Sequence, residues 1–452
     1  MPSQRTDFLT AAEIAAARPA AVPPDDPLAA ARVRMQALGL WHPLQSMGRN
    51  FTIGCVALEI TQRCNLDCTL CYLSESSEAV HDLPLAEVFA RIDQIRAHYG
   101  PETNVQVTGG DPTLRNRAEL VAIVRRVAAC GMRPSLFTNG IKATRELLAE
   151  LAASGLIDVA FHVDTSQHRR GATDEASLNP TRLDYIERAR GLGLSVMFNT
   201  TVHPGNVHEV PALARFFVDH ADGVRLASFQ IAADTGRGTA SAGEPVTIPA
   251  LAGRLEQGAG TTINFDALGA GHKACNRYSM LVVAGGVACD LLEDEALYAL
   301  LLDANARRPL DRRRPLQTVA RIAASFLRQP RALRRAAPLA ARKLWALRRG
   351  LVASRGRAHK LSFFIHGFMG ARCLERDRIA ACSFTVMTGE GPISMCLHNA
   401  RRDDFILRPK QVEAGRWWDP VTGAWSGAAP APRAVAHTRR TLKGRLKAEA
   451  SA

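Results

Sequence analysis

The run "VALEITQRCNLDCTLCY" (56–72) joins a short apolar stretch to three cysteines, Cys64, Cys68 and Cys71, spaced C-x3-C-x2-C. Its first six residues read as a buried strand, so the thiols fall on the loop that follows it. Three thiols in eight residues cannot pair off. Structural zinc wants four ligands, usually as two close pairs. Thiolates also suit iron–sulfur clusters. A four-iron cubane held by three protein ligands leaves one iron open for a substrate or cofactor. The competing readings are buried, inert cysteines or a zinc site.

The same alternation continues outward. Candidate strands are "VALEIT" (56–61), "VQVT" (105–108), "SLFT" (135–138), "DVAFHV" (158–163), "LSVMFNTTV" (194–202) and "GVRLASF" (223–229). Helical patterns lie between them, at 85–100, 115–131, 144–153, 181–191 and 207–220. Asn116 is placed to cap the second helix and Gly131 to stop it. Strands alternating with helices imply parallel βαβ units. Six of them suggest an α/β fold built on a partial (β/α)6 barrel, open but related to the eight-fold one. Active sites of such barrels sit at the C-terminal ends of the strands, where the cysteine loop falls.

The chain has 452 residues, 47% hydrophobic and 22% charged, a composition that buries a core without disulfide staples. No signal-peptide pattern and no run of 18 apolar residues is visible, so a cytoplasmic protein is expected, with its ten cysteines read as free thiols or metal ligands. The net charge of +14 is concentrated. Residues 307–360 hold 15 Arg and 2 Lys against one acid, Asp311.

On these residues the sequence resembles the radical S-adenosylmethionine (SAM) superfamily, whose cluster motif is matched by Cys64, Cys68, Leu70 and Cys71. The resemblance implies a [4Fe–4S] cluster on the three cysteines. Its open iron would chelate SAM, and an electron from it would release a 5′-deoxyadenosyl radical that abstracts substrate hydrogen. An electron donor such as flavodoxin or ferredoxin is then implied. "TGGDP" (108–112) is similar to the family's GGEP motif, so backbone groups of Gly109 and Gly110, with Asp111 in place of Glu, are expected to receive the SAM amino group. "FTNG" (137–140) resembles the family's TNG step and puts Thr138 and Asn139 against SAM. Asp164 and Asn199 end later strands; each is either a SAM contact or a simple cap.

Two C-terminal stretches, Cys275 to Cys289 and Cys382 to Cys396, are both C-x13-C around glycines and read as β-hairpins. Hairpins bring their ends together, so Cys275, Cys289, Cys382 and Cys396 are expected to hold an auxiliary [4Fe–4S] cluster. Cys373 or His272 can replace one of them. The first copy resembles the opening of SPASM and twitch extensions, without their dense C-x2-C part. Cys55 and Cys130 read as core residues.

The ordered motifs, above all "IHGFMGARCLERDRIAACSFTVMTGEGPISMCLHNA" (365–400), resemble the tetraether lipid synthase-like branch, with MoaA-like barrel motifs. That resemblance implies hydrogen abstraction from a membrane lipid chain, with carbon–carbon coupling as one outcome. The alternatives are a pterin- or peptide-modifying radical SAM enzyme and a non-catalytic zinc or nucleic-acid-binding protein. No P-loop, HExxH or Rossmann fingerprint is present. The chain divides into an N-terminal helical lead-in (1–50), the barrel (51–260), a first cysteine hairpin (261–303), an Arg-rich amphipathic insert (304–360), a second cysteine hairpin (361–410) and a basic tail expected to be flexible (411–452). Leu, Phe and Trp345 alternate with Arg at helical spacing in the insert. This favours an anionic membrane surface over nucleic acid as the partner of residues 307–360, and a peripheral place on the inner membrane.

Overall fold

The computed structural model describes residues 7–23, 26–238, 243–306, 315–327 and 329–431. Residues 307–314 and 328 of the expected insert and 432–452 of the expected tail lie outside them.

Two helices, α1 (Ala11–Ala16) and α2 (Pro27–Ala37), precede the barrel. Its six strands are β1 (Cys55–Thr61), β2 (Asn104–Gly109), β3 (Arg133–Thr138), β4 (Asp158–His162), β5 (Ser195–Val202) and β6 (Leu226–Ile231). Helices α3 (Leu85–Tyr99), α4 (Arg117–Ala129), α5 (Arg145–Ala153), α6 (Asn179–Ala189) and α7 (Val210–Asp219) connect them, and α8 (Ile248–Ala259) follows. All six strands pair in parallel in chain order. Alternate strand residues face the helices. Leu136, Val159, Phe161, Val196, Phe198 and Phe229 are buried in the main core, and Phe198 meets Phe217 of α7 at 5.6 Å between ring centroids. Asn116 caps α4 by accepting from the backbone of Ala118 and Glu119.

Beyond the sixth unit lie β7 (Asn276–Tyr278), β8 (Leu281–Ala284), β9 (Val287–Asp290), α9 (Glu295–Ala304), α10 (Pro315–Leu327), α11 (Pro330–Ala353), β10 (His359–Gly367), α12 (Arg376–Ala380), β11 (Phe384–Thr388), β12 (Gly391–Ser394), α13 (Met395–Ala400) and α14 (Arg402–Ile406). This half is not a detached module of hairpins. β10 pairs in parallel with β6, and β11 in parallel with β1, so eight parallel strands run β11-β1-β2-β3-β4-β5-β6-β10. The reason is physical: an open six-stranded sheet leaves the backbone groups of β1 and β6 unpaired, and the later strands satisfy them. Among the described residues no hydrogen-bond ladder joins β10 to β11. Side chains close that seam instead. Phe384 lies 5.9 Å from Phe364 and 4.6 Å from His366 between ring centroids, and Asn276 donates to Ser383 at 2.8 Å. Burial lowers the His366 pKa to about 3, so the ring is neutral.

The expected tail also departs from the sequence reading over its first part. β13 (Lys410–Glu413), β14 (Arg416–Trp418) and β15 (Trp425–Ser426) form a small antiparallel sheet. Trp418 is buried in it, and the Pro420 carbonyl accepts from the His81 amide at 2.8 Å.

A buried ion pair fastens the C-terminal half to the first strand. Arg402 Nη1 donates to both Glu59 oxygens, at 2.9 and 2.7 Å, and Gln62 donates to the same carboxylate at 2.8 Å. Burial alone raises a carboxyl pKa. Arg402 and the hydrogen bonds outweigh it and hold Glu59 at about 2. The folded value lies below the unfolded one, so this stabilisation is complete above about pH 4.5 and is lost as pH falls towards 2. It amounts to roughly 3 kcal/mol at neutral pH. Glu59→Gln, which strands the Arg402 charge, is expected to lower the unfolding free energy by about that much at pH 7. Urea titrations should find the gap to wild type less than half as large at pH 3.

Candidate functional site

The loop after β1 crosses the C-terminal end of the barrel, and Cys64, Cys68 and Cys71 on it are all partly exposed. They stand close enough to repel one another as thiolates. Burial pushes the Cys64 thiol up to about 11, with Asp111 and Cys71 adding to it. Burial raises Cys68 as well, with further contributions from Cys71, Asp164 and Cys64. Among the described residues the cation facing this set is Arg237. Burial works against the Arg237 charge, but Cys71 and Glu78 hold the guanidinium protonated. Its Nη1 donates to Glu78 at 3.1 Å, and its guanidinium also faces the Cys71 thiol. Arg237 follows β6 in "TGRG" (235–238), which packs directly on the cysteine loop: Gly238 N donates to Cys71 O at 3.0 Å, and a Cβ at Gly238 would lie 2.6 Å from Cys71 N. Sequence reading passed over Arg237; its signal was an arginine between two glycines just past a barrel strand.

Gly109 and Gly110 are glycines for the same reason of close approach. A Cβ on Gly109, at φ 132°, would sit 1.8 Å from Thr61 O, and one on Gly110 2.1 Å from Arg63 O. Their segment is bolted to the root of the cysteine loop, with Gly110 N donating to Thr61 O at 3.0 Å and Asp111 N to Arg63 O at 2.7 Å. The Gly109 carbonyl accepts from Tyr72 Oη at 2.6 Å, which leaves its second lone pair.

Asp111 is fully buried and its oxygens are occupied. It accepts from Thr113 N at 3.0 Å, Thr138 Oγ1 at 2.8 Å and Asn139 N at 2.8 Å. Asp111 and Thr138 therefore tie the end of β2 to the end of β3. Asn139 is the member of that step nearest the loop, donating to Asn65 Oδ1 at 2.6 Å, with its Nδ2 4.0 Å from Cys64 Sγ. Asp164 is also fully buried. It accepts from His162 Nε2 at 2.6 Å and Thr201 N at 2.7 Å, and from Ser166, whose carbonyl accepts from Thr69 N of the cysteine loop at 2.8 Å. Burial opposes its charge, but His162 and these donors hold its carboxyl well below the usual range. Asp164 thus caps the turn after β4 and braces it to β5.

Asn199 does face the barrel interior, and the registers arrange that interior in tiers. Phe137, Ala160, Met197 and Leu226 lie side by side in one tier. His162, Asn199, Ser228 and Phe364 form the next, towards the cysteine loop. Phe137, Met197, Leu226 and Phe364 are only half-buried although they sit mid-sheet, so the interior is open beside them. The buried Ser228 hydroxyl there has no hydrogen-bond partner among the described residues.

The C-terminal cysteines divide. Cys275, Cys382 and Cys396 come together, each within electrostatic reach of the others, and Arg378 Nε donates to Cys275 Sγ at 3.3 Å. In the second stretch the β11–β12 register pairs Thr385 with Ser394, which brings Cys382 and Cys396 together at the hairpin ends as expected. In the first, Cys289 stands opposite Val282, while Cys275 precedes β7 on the flank of β10. Cys289 packs with Ala284 and Leu347 instead. Cys373 is exposed on the turn after β10, and His272 faces Asp377 at 3.2 Å. Cys55 is buried beside Cys382.

Among the described residues no three Cys, His, Asp or Glu side chains form a cage for a single metal ion. The cysteine loop nonetheless fits a cubane, which holds its thiolates further apart than one ion does. Its donors are three partly exposed thiols with one buried arginine to balance their charge.

Comparison with known proteins agrees with this geometry. The Radical SAM superfamily model matches residues 58–217. The GTP 3′,8-cyclase of Streptomyces coelicolor is 36% identical over 170 residues, 36% of this chain and 49% of that protein. The PqqA peptide cyclase of Bradyrhizobium diazoefficiens is 28% identical over 184 residues, 39% and 46% of the two chains. The 7,8-dihydro-6-hydroxymethylpterin dimethyltransferase of Methanocaldococcus jannaschii is 28% identical over 186 residues, 40% of this chain and 36% of that one. The matches thus span half or less of these relatives. Among solved structures, Streptococcus suis SuiB aligns with TM-score 0.36 at 13% identity, over 50% of this chain and 48% of its own. Residues 58–217, with the cysteine loop at their head, are a radical SAM domain.

Proposed function

We propose that this protein is a radical SAM enzyme that takes hydrogen from an unactivated C–H bond of a membrane lipid chain, with carbon–carbon coupling as one outcome. Cys64, Cys68 and Cys71 hold a [4Fe–4S] cluster, and Arg237 offsets the charge of the thiolates. The Gly109 carbonyl and Asn139 orient SAM in this reading, while Asp111 and Asp164 fix the strand ends that carry them. When bound there, the cluster supplies the electron for reductive cleavage of SAM, which ends as methionine and a 5′-deoxyadenosine carrying one hydrogen from the substrate. A flavodoxin or ferredoxin is the proposed source of that electron.

The observation that carries the substrate reading is the half-open apolar tier of Phe137, Met197 and Leu226 beneath the polar tier of Asn199 and Ser228. An aliphatic chain gains by covering such a surface. The unpartnered Ser228 hydroxyl favours a second reading, a substrate with a hydrogen-bonding head such as a pterin or a peptide, because a buried polar atom costs free energy until it is paired. An auxiliary cluster is proposed on Cys275, Cys382 and Cys396. Cys373, on the neighbouring turn, is the candidate fourth ligand in place of Cys289.

Two measurements on anaerobically reconstituted protein test this. Wild type should bind about eight irons, and the Cys64→Ala/Cys68→Ala/Cys71→Ala variant about four, with 5′-deoxyadenosine formation from SAM and dithionite abolished. Zinc without iron would end the reading. Cys382→Ala should also lose about four irons while Cys289→Ala keeps all of them; equal losses would restore Cys289 as a ligand. Stimulation of deoxyadenosine formation by lipid extract, and not by pterin or peptide, separates the two substrate readings.

A further inference from the structure

Helix α11 packs against the β8–β9 hairpin, α9 and α10. Leu347 packs with Ala284 and Cys289 of the β8–β9 hairpin, Gly350 lies against the Ala284 carbonyl, and Ala332 is buried. Arg335 pairs with Asp294 at 3.2 Å, and Arg342 and Lys343 both pair with Glu293. These contacts fix which way the helix presents its other side.

That other side is apolar and cationic together. Val352, Trp345 and Leu344 are 81%, 68% and 60% exposed, three of the four most exposed large apolar side chains among the described residues. With Arg348 they occupy positions i, i+1, i+4 and i+8 of one stripe, and the Arg348 guanidinium lies 4.1 Å from the centre of the Trp345 ring. Arg331, Arg334, Arg348 and Arg349 meet no carboxylate among the described residues. No described helix is long and apolar enough to cross a membrane. We infer that the outer face of α11 docks flat on an anionic membrane surface, with Leu344, Trp345 and Val352 entering the boundary between headgroups and acyl chains and the four arginines meeting lipid phosphates.

Charge complementarity selects an anionic partner, and the aliphatic side chains select a lipid one. A nucleic-acid backbone would use the arginines and one stacking ring but leave Leu344 and Val352 in water. A headgroup layer uses all of them. The inference goes beyond the reaction and stands on α11 alone: vesicle binding reads the docking, and deoxyadenosine formation reads the catalysis.

The test is co-sedimentation of the full chain with phosphatidylcholine vesicles, with and without phosphatidylglycerol. Binding should require phosphatidylglycerol and weaken as salt is raised. Arg348→Glu/Arg349→Glu and, separately, Leu344→Ser/Trp345→Ser should each reduce affinity at least tenfold while deoxyadenosine formation without a lipid substrate stays at the wild-type level. Four outcomes would overturn it: no binding to phosphatidylglycerol vesicles, equal binding to pure phosphatidylcholine, no loss in the Leu344→Ser/Trp345→Ser variant, or tighter binding to an RNA duplex that the arginine variant abolishes and the apolar variant leaves intact.

Discussion

The buried Glu59–Arg402 pair is the contact on which the rest of the arrangement hangs. Glu59 belongs to the first barrel strand and Arg402 to one of the last helices, so the pair joins distant parts of the chain. The same guanidinium lies 4.8 Å from the centre of the Tyr72 ring, and Tyr72 in turn donates to the Gly109 carbonyl. Through these few atoms the C-terminal half, the cysteine loop and the end of β2 are held in one register. A charge pair shut away from water keeps its attraction only if its remaining hydrogen bonds are met; Gln62 and Asn399 meet two of them.

The site is then built from struts and an opening. Asp111 and Asp164 are carboxylates at strand ends, yet neither is free to take a ligand, because each is spent on backbone and hydroxyl donors of the adjacent strand. What they provide is rigidity: β2 is tied to β3, β4 to β5, and Ser166 reaches from β4 to the cysteine loop. Around the opening stand the thiols, Arg237 and Asn139, with Asn199 and Ser228 on the strands below. A rigid rim around an interior with apolar depth and polar height suits chemistry that must place one C–H bond near one reactive atom while keeping water out.

Local signals were legible in the sequence and long-range ones were not. β1 to β6 and the cysteine loop could be read because each depends on periodicity and spacing within about ten residues. β10 and β11 could not, because their partners, β6 and β1, lie more than a hundred residues away and no local pattern names a partner. The position of Cys289 relative to Cys275 was illegible for the same reason. A C-x13-C spacing closes only if the turn is centred between its cysteines. Gly285–Gly286 instead centres β8 and β9 on each other and leaves Cys275 outside the hairpin. The place of Asp111 in the motif is visible in sequence, while its hydrogen bonds to Thr113, Thr138 and Asn139 are not. Arg237 carried only a weak local signal, its place between two glycines; the packing of its loop on Cys71 gives it a role.

The measurement that bears most directly on this account is electron paramagnetic resonance of the dithionite-reduced Cys275→Ala/Cys382→Ala/Cys396→Ala variant, recorded with and without SAM. Removing the auxiliary thiols isolates the cluster on Cys64, Cys68 and Cys71. The account predicts a reduced [4Fe–4S] signal that changes shape when SAM is added, because SAM binds the open iron. A signal indifferent to SAM, or no iron–sulfur signal in this variant at all, would contradict it.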